Sequence, residues 1–222
     1  ENASFVLSFG AGIIEGWGSP VNCFKANASR KERKAKLYQI EPRLSNTAAN
    51  ADKWIPIKPG TEADLALGIC AVILKDNLFD STATANFRGG INKFGALLQK
   101  EYTPSKTAEI TGVKASDIEK IATLFAKAKM PLAVFGKGRG DGAQSLKELV
   151  AVHTLNCLVG NINKKGGAFV QPKLKYLEFA DESMDSIAEN GFAKTKAAPY
   201  VNQLIEKVNA SSRPVVEALF VY

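Results

Sequence analysis

The chain has 222 residues, 45% of them hydrophobic and 23% charged, with a formal net charge of +7. Such a composition suits a packed globular chain, either one large domain or a domain with an appendage, and no apolar run reaches the length that a membrane-spanning helix requires. Cys23, Cys70 and Cys157 are scattered and odd in number, which excludes a disulfide framework and a CxxC metal site.

Phe5 to Phe9 is a short apolar run, the pattern of a buried parallel strand. Gly10-Ala11-Gly12 follows, and its glycines allow close approach of backbone to a ligand. The full GxGxxG spacing is absent, because Glu15 stands where the third glycine would fall. Val21 to Lys36 is polar and partly helical in pattern. Its Arg30, Lys31, Arg33, Lys34 and Lys36 are read as a solvated face, since no aromatic residue is interleaved as a nucleic-acid surface would require. Leu37 to Ile40 is the second strand.

The stretch from Ile40 to Gly68 carries the chemistry. Glu41 sits at the tip of the second strand, where an acid can accept hydrogen bonds from ribose hydroxyls. Trp54 to Ile57 reads as a third strand, confined to an edge by Pro56. Pro59-Gly60 turns the chain into a helix whose first turn holds Glu62, with Thr61 and Asp64 at cap-like spacing. A helix N-terminus with a carboxylate beside it can meet a base or an anion. A turn, an edge strand and a capped helix explain the same residues, so the residues alone leave both readings open.

The helix through Leu65, Leu67, Ile69, Cys70, Val72, Ile73 and Leu74 is apolar nearly all round and is expected to be deeply buried. Ile91 to Leu98 reads as a further helix. Ser116 and Glu119 form a capping box ahead of Ile118, Ile121, Ala122, Phe125 and Ala128 at helical spacing. Leu132 to Phe135 is another buried strand, followed by the glycine-rich Gly136-Lys137-Gly138-Arg139-Gly140-Asp141-Gly142. A helix from Gln144 to Leu158 stops at Gly160. His153, the sole histidine, is read as a packing residue, and Cys70 and Cys157 as small apolar fillers. Tyr200 to Val208 reads as a helix in a lysine- and alanine-rich stretch.

Glu41-Pro42-Arg43, Thr47-Ala48, Ala51-Asp52-Lys53-Trp54 and Pro59-Gly60-Thr61-Glu62, followed by Leu65-Ala66-Leu67, resemble the nucleotide-binding segment of the molybdopterin oxidoreductases, the dimethyl sulfoxide reductase family. Thr111-Gly112-Val113, Leu155-Asn156, Gly160-Asn161-Ile162 and Gly166-Gly167 extend the resemblance. It covers Phe5 to Ala168 and resumes at Val215 to Tyr222. The resemblance implies a grip on one molybdopterin guanine dinucleotide arm of a molybdenum or tungsten cofactor. The residues implied are Gly10, Ala11 and Gly12; Ile40, Glu41, Pro42 and Arg43; Pro59, Gly60 and Glu62; and, on the pterin side, Gly136, Lys137 and Gly138. Gly12 stands where the family usually has Asn, and Glu41 where it more often has Asp. No catalytic residue and no metal ligand is assigned within the chain.

Strands alternating with helices give an α/β fold: a three-layer, Rossmann-like, mostly parallel sheet with helices on both faces. Residues 1–168 are the expected cofactor-binding domain, 169–212 an insertion or surface excursion, and 213–222 the truncated start of the next strand or domain. The chain stops within what reads as a strand, the expectation being a piece of a longer protein. The resemblance places any iron–sulfur cluster outside this piece. It implies as partners the remaining domains and iron–sulfur and membrane-anchor subunits of a periplasmic, membrane-associated complex, with no nucleic acid. Two rivals remain: a subunit of the family that has lost the cofactor, and the central nucleotide-binding domain of a thiamine-diphosphate enzyme.

Overall fold

A computed structural model describes residues 2–16, 18–136, 146–171 and 201–212. Four strands, β1 (Phe5–Phe9), β2 (Lys36–Ile40), β3 (Lys53–Ile55) and β4 (Pro131–Phe135), form one parallel sheet in the order β3-β2-β1-β4. Phe5 pairs with Lys36 on one side and Pro131 on the other, and the register runs without a break to Phe9, Ile40 and Phe135. The chain steps outward from β1 to β3 and then returns to the far side of β1 for β4. The strand order therefore reverses between β1 and β4, which is where an open parallel sheet forms its ligand crevice.

Period-two alternation sorts the strand residues between two faces. Phe5, Leu7 and Phe9 are buried with Ile40, Ile55 and Ala133 in the main core. The helices on that side are α3 (Glu62–Lys75), α4 (Arg88–Glu101), α5 (Pro104–Thr111), α6 (Ala115–Ala126) and α7 (Leu146–Leu158). The central helix is α3, packed against the other four. Leu65, Ala66, Ile69, Cys70 and Ile73 are fully buried, as an all-round apolar helix demands. Each large side chain of this kind contributes about 1.5–3 kcal/mol on burial. On the opposite face, Val6, Leu37, Leu132 and Val134 line a groove with Cys23, Ala26 and Arg30 of α1 (Pro20–Glu32), which supplies the third layer.

Asp52 ties that layer to the sheet. Its carboxylate accepts from Arg30 at 2.7 Å, from Lys36 at 3.0 Å and from the Leu37 N–H at 2.9 Å. Arg30, nearly buried, also donates to the Ala35 carbonyl at 2.9 Å. The end of α1 and the starts of β2 and β3 thus share one charged knot, and part of the basic run is structural.

Several boundaries differ from the sequence reading. Thr61 does not cap α3 with its side chain; its hydroxyl donates backwards to the Lys58 carbonyl at 2.7 Å. Ser116 is not an N-cap: α6 begins at Ala115 with Lys114 before it, and Ser116 is an exposed residue of the first turn. The cause lies upstream. The preceding helix, α5, was not anticipated as a separate element, and it stops at Gly112 in the left-handed conformation (φ 81°). Val113 then buries, which sets the register of α6. The helix expected over Ile91 to Leu98 extends to Arg88–Glu101. Cys157 is exposed and does not act as a core filler, whereas Cys70 is fully buried and burial pushes its thiol pKa up. His153 packs edge-on against Phe135, ring centroids 5.3 Å apart.

Residues 1–171 form one compact unit and 172–222 a second. Within the second, α8 (Val201–Ala210) is the described element. Lys137, Gly138 and the rest of the glycine-rich loop to Gly142, and the strand expected after Pro214, lie outside the described residues.

Candidate functional site

Parallel strands place their following turns side by side. Gly10 follows β1, Glu41 follows β2 and Gly136 follows β4, and the backbone stitches them together. The Gly10 N–H donates to the Ile40 carbonyl at 2.9 Å, and the Gly136 N–H donates to the Phe9 carbonyl at 3.3 Å. Gly10 has φ 65°, a conformation that side chains with a Cβ rarely take, and this is where the chain leaves the sheet.

The turn after β1 is held from three sides. The Ala11 carbonyl accepts from the Ile13 N–H at 2.8 Å and from the buried side chains of Ser8 and Gln39, each at 3.3 Å. Thr47, fully buried, accepts from the Ile14 N–H at 3.1 Å and donates to the Glu15 carboxylate at 3.3 Å. Ala11 and Gly12 are themselves buried, yet their N–H groups find no hydrogen-bond partner among the described residues. Buried N–H groups are nearly always paired. A pair left open at the strand-order reversal suits an anionic ligand.

Glu41 is fixed rather than free. Its Oε1 accepts from the Ser45 hydroxyl, and its backbone carbonyl accepts from the Trp54 indole N–H at 3.0 Å. Ser45 also accepts from the Ala48 N–H at 3.1 Å and so caps α2 (Asn46–Ala49). Oε2 of this buried carboxylate makes no bond among the described residues and is left for a hydroxyl donor. Pro42 and Arg43 are exposed beside it, and the Arg43 guanidinium is likewise without a protein partner among the described residues. Ile40, fully buried, contributes only its carbonyl to the turn after β1.

Glu62 opens α3, whose N-terminus follows β3 after a six-residue connection, Pro56 to Thr61. Pro59 and Gly60 form the exposed turn, and a Cβ added at Gly60 would meet nothing within 4 Å. Glu62 is 4% exposed, and its carboxylate engages no hydrogen bond or ion pair among the described residues. Asp64, in the same turn, is engaged: it meets Lys147 of α7 at 2.6 Å.

The structure thus brings Gly10, Gly136 and the end of β2 together and sets Glu62 at the start of the central helix. Ser8, Gln39, Ser45 and Trp54 are additional residues that shape the site. Trp54 and Thr47 belong to sequence words singled out for their pattern; Ser8 and Gln39 carry no local signal, because their role depends on meeting across the sheet. Among the described residues no group of His, Cys, Asp and Glu could hold a metal ion.

A family description, "Molybdopterin oxidoreductase", matches residues 1–221. The chain belongs to the molybdopterin oxidoreductase family. It is 34% identical over 177 residues to the menaquinone reductase molybdopterin-binding-like subunit of Nitratidesulfovibrio vulgaris, covering 78% of this chain and 24% of that protein. It is 33% identical over 222 residues to the arsenate respiratory reductase molybdopterin-containing subunit of a Shewanella species, covering 88% of this chain and 26% of that one. Among solved structures, acetylene hydratase from Pelobacter acetylenicus superposes with a TM-score of 0.61 at 30% identity, over 72% of this chain and 22% of the other. This molybdopterin-family chain spans about a quarter of the length of these relatives.

Proposed function

We propose that this chain is the domain of a longer molybdopterin-dependent oxidoreductase that holds the guanine dinucleotide arm of the cofactor. The observation that carries the reading is Glu62, a 4% exposed carboxylate at a helix N-terminus with no donor of its own among the described residues. Guanine presents two adjacent N–H donors that one carboxylate can accept together, and adenine does not. Glu62 therefore reads the base. Glu41 offers Oε2 to a ribose hydroxyl, Ser45 and Trp54 hold it in place, and the open N–H groups of Ala11 and Gly12 meet phosphate oxygens at the crevice between β1 and β4. Arg43 adds positive charge at the rim, and Gly136, Lys137 and Gly138 belong to the turn proposed for the pterin side. When bound, a molybdenum or tungsten pterin supplies electron or oxygen-atom transfer; these residues bind and orient it. The longer protein works as a subunit of a redox complex, a proposal supported by relatives named as subunits.

The test measures GDP and ADP affinity in the full-length protein for wild type, Glu62→Gln and Glu41→Gln. A charged hydrogen bond of this type contributes about 1.5–3 kcal/mol, so Glu62→Gln is expected to weaken GDP by about tenfold or somewhat more. It should also erase the preference over ADP. Glu41→Gln should weaken both nucleotides alike. Full affinity and preference in Glu62→Gln would reduce that acid to a first-turn residue. The second reading, a subunit that keeps the fold without the cofactor, is favoured by the molybdopterin-binding-like name of one relative and by Gly12 in place of Asn. It expects no guanine nucleotide to be released when the native protein is denatured.

A further inference from the structure

Two carboxylates share the first turn of α3, Glu62 and Asp64, and they are treated differently. Asp64 Oδ1 receives the Lys147 ammonium at 2.6 Å and the Tyr102 hydroxyl at 3.3 Å. The same ammonium lies 5.9 Å from the centroid of the Tyr102 ring, within reach of a cation–π attraction. The three groups come from α3, from α7 and from the residue that ends α4. The Asp64 hydrogen bond raises the Lys147 pKa above its ordinary value against the opposing pull of partial burial, so the ammonium stays charged. Asp64 keeps 16% of its side-chain surface and Lys147 55%, so the pair is partly desolvated on the acid's side.

We infer that Lys147 is a positioning residue for nucleotide recognition: by neutralising Asp64 it leaves Glu62 as the uncompensated carboxylate of the turn that meets the base. This inference rests on the reading of Glu62 as the guanine acceptor. Side chains two positions apart on a helix diverge and do not touch. An exposed charge nevertheless acts over about 10 Å in 0.1 M salt. An uncompensated Asp64 would repel an anionic nucleotide, by about threefold in affinity at an effective dielectric of about 20 across one screening length. Pinning α7 to α3 is a separate, structural consequence of the same bond. The two roles are separable because only the first depends on the sign of the charge left behind.

The experiment measures GDP affinity of the full-length protein for wild type, Lys147→Met, Asp64→Asn, the double variant and Glu62→Gln, with thermal unfolding of each. Lys147→Met should weaken GDP by about threefold, and the defect should shrink as KCl is raised. The double variant loses the bond but leaves no naked carboxylate, so it should return to within about twofold of wild type. Where Met is not tolerated at this position, Lys147→Gln, which also removes the charge, carries the same expectations. A Lys147 variant with wild-type affinity, or a double variant as weak as the single, overturns the inference. Loss of GDP in Glu62→Gln alongside an unaffected Lys147→Met leaves the guanine reading standing and removes only this one. An unaffected Glu62→Gln removes the guanine reading, and this inference with it.

Discussion

Asn156 and Ala133 are joined by two hydrogen bonds. The Ala133 N–H donates to Asn156 Oδ1 and the Asn156 amide donates to the Ala133 carbonyl, both at 2.8 Å. Ala133 lies in the middle of β4, the outermost described strand on its side of the sheet, and Asn156 projects from α7. One side chain thus takes the place of a neighbouring strand. Asn161 continues the seal, donating to the Pro131 carbonyl and, at 3.0 Å, to Asn156 Oδ1. At Pro131 and Ala133 this edge is already paired and offers nothing to a second strand. Asn156→Leu fills a similar volume but leaves a buried N–H and a buried carbonyl unpaired. Each costs about 1–3 kcal/mol, so the variant should lose about 2–6 kcal/mol. For a chain of this size that lowers Tm by about 4–24 °C. Calorimetry of the two proteins checks it, and a shift below about 2 °C would show the seal to be unimportant.

Gly68 of α3 faces Thr107 of α5 at close range. A Cβ at Gly68 would lie 2.5 Å from Thr107 Cγ2 and 2.9 Å from its Cβ, a distance that cannot be absorbed by rotating a side chain. Gly68→Ala gains helix propensity but must push the helices apart, with an expected net loss of about 1–3 kcal/mol. The Thr107 hydroxyl, in the same contact, is buried without a partner among the described residues. Thr107→Val keeps the branched shape and removes that burden, so it should be neutral or stabilising by up to about 1 kcal/mol. Denaturant titrations of both variants should therefore move in opposite directions or, for Thr107→Val, not at all.

Asp52 gives the fold an acid limit. Burial acts to raise its pKa, but the Leu37 N–H, Lys36 and Arg30 together overcome this and hold the carboxyl below the ordinary aspartate range. A carboxylate depressed in the folded state contributes stability that is fully present above its unfolded value, about pH 4. The contribution is lost as pH falls through the lower folded value. Asp52→Asn should destabilise the chain near neutral pH by about 1–3 kcal/mol, since bonds to a charged group are being weakened. It should also flatten the fall in stability below about pH 4. Unfolding curves at pH 7 and at pH 3 for both proteins measure the two effects; an equal deficit at both values would mean that Asp52 does not titrate with folding.

The parts of this architecture that were legible in the sequence are those encoded locally. Phe5 to Phe9, Leu37 to Ile40 and Leu132 to Phe135 announce buried strands as short, mostly apolar runs, and the all-round apolar pattern of α3 announces a central helix. Ordered words around Glu41 and Glu62 announce the family. What was missed depends on partners distant in the chain. Asn156 reads as an ordinary helix residue until it meets Ala133, 23 positions away, and Asp64 reads as a cap until it meets Lys147, 83 positions away. The helix α5 was overlooked although Thr103-Pro104 and Gly112 are its start and stop signals: the Thr103 hydroxyl accepts from the Lys106 N–H. Cys157 lies exposed, against its apolar context, because an apolar neighbourhood in sequence does not tell which side of a helix faces out.

Thr47 joins the two turns on which the nucleotide proposal rests. Its hydroxyl accepts from the Ile14 N–H and donates to Glu15, so the segment after β1 hangs on the first turns after β2. Thr47→Val preserves shape and branching while removing both bonds, and it leaves the Ile14 N–H without its acceptor. The cost to stability is about 1–3 kcal/mol. The larger expected effect is on binding, because the N–H groups of Ala11 and Gly12 must be preorganised to meet an anion and a loosened turn spends affinity on ordering. GDP and ADP should weaken together by about three- to tenfold, about 0.7–1.4 kcal/mol, with the guanine preference intact because Glu62 is untouched. Amide hydrogen exchange supplies the independent readout: protection at Ile14 should fall in Thr47→Val while the β1 amides stay protected. Unchanged exchange at Ile14 would show that this bond does not hold the turn. Weakened GDP binding with ADP binding unaffected would show that Thr47 acts through the base site instead.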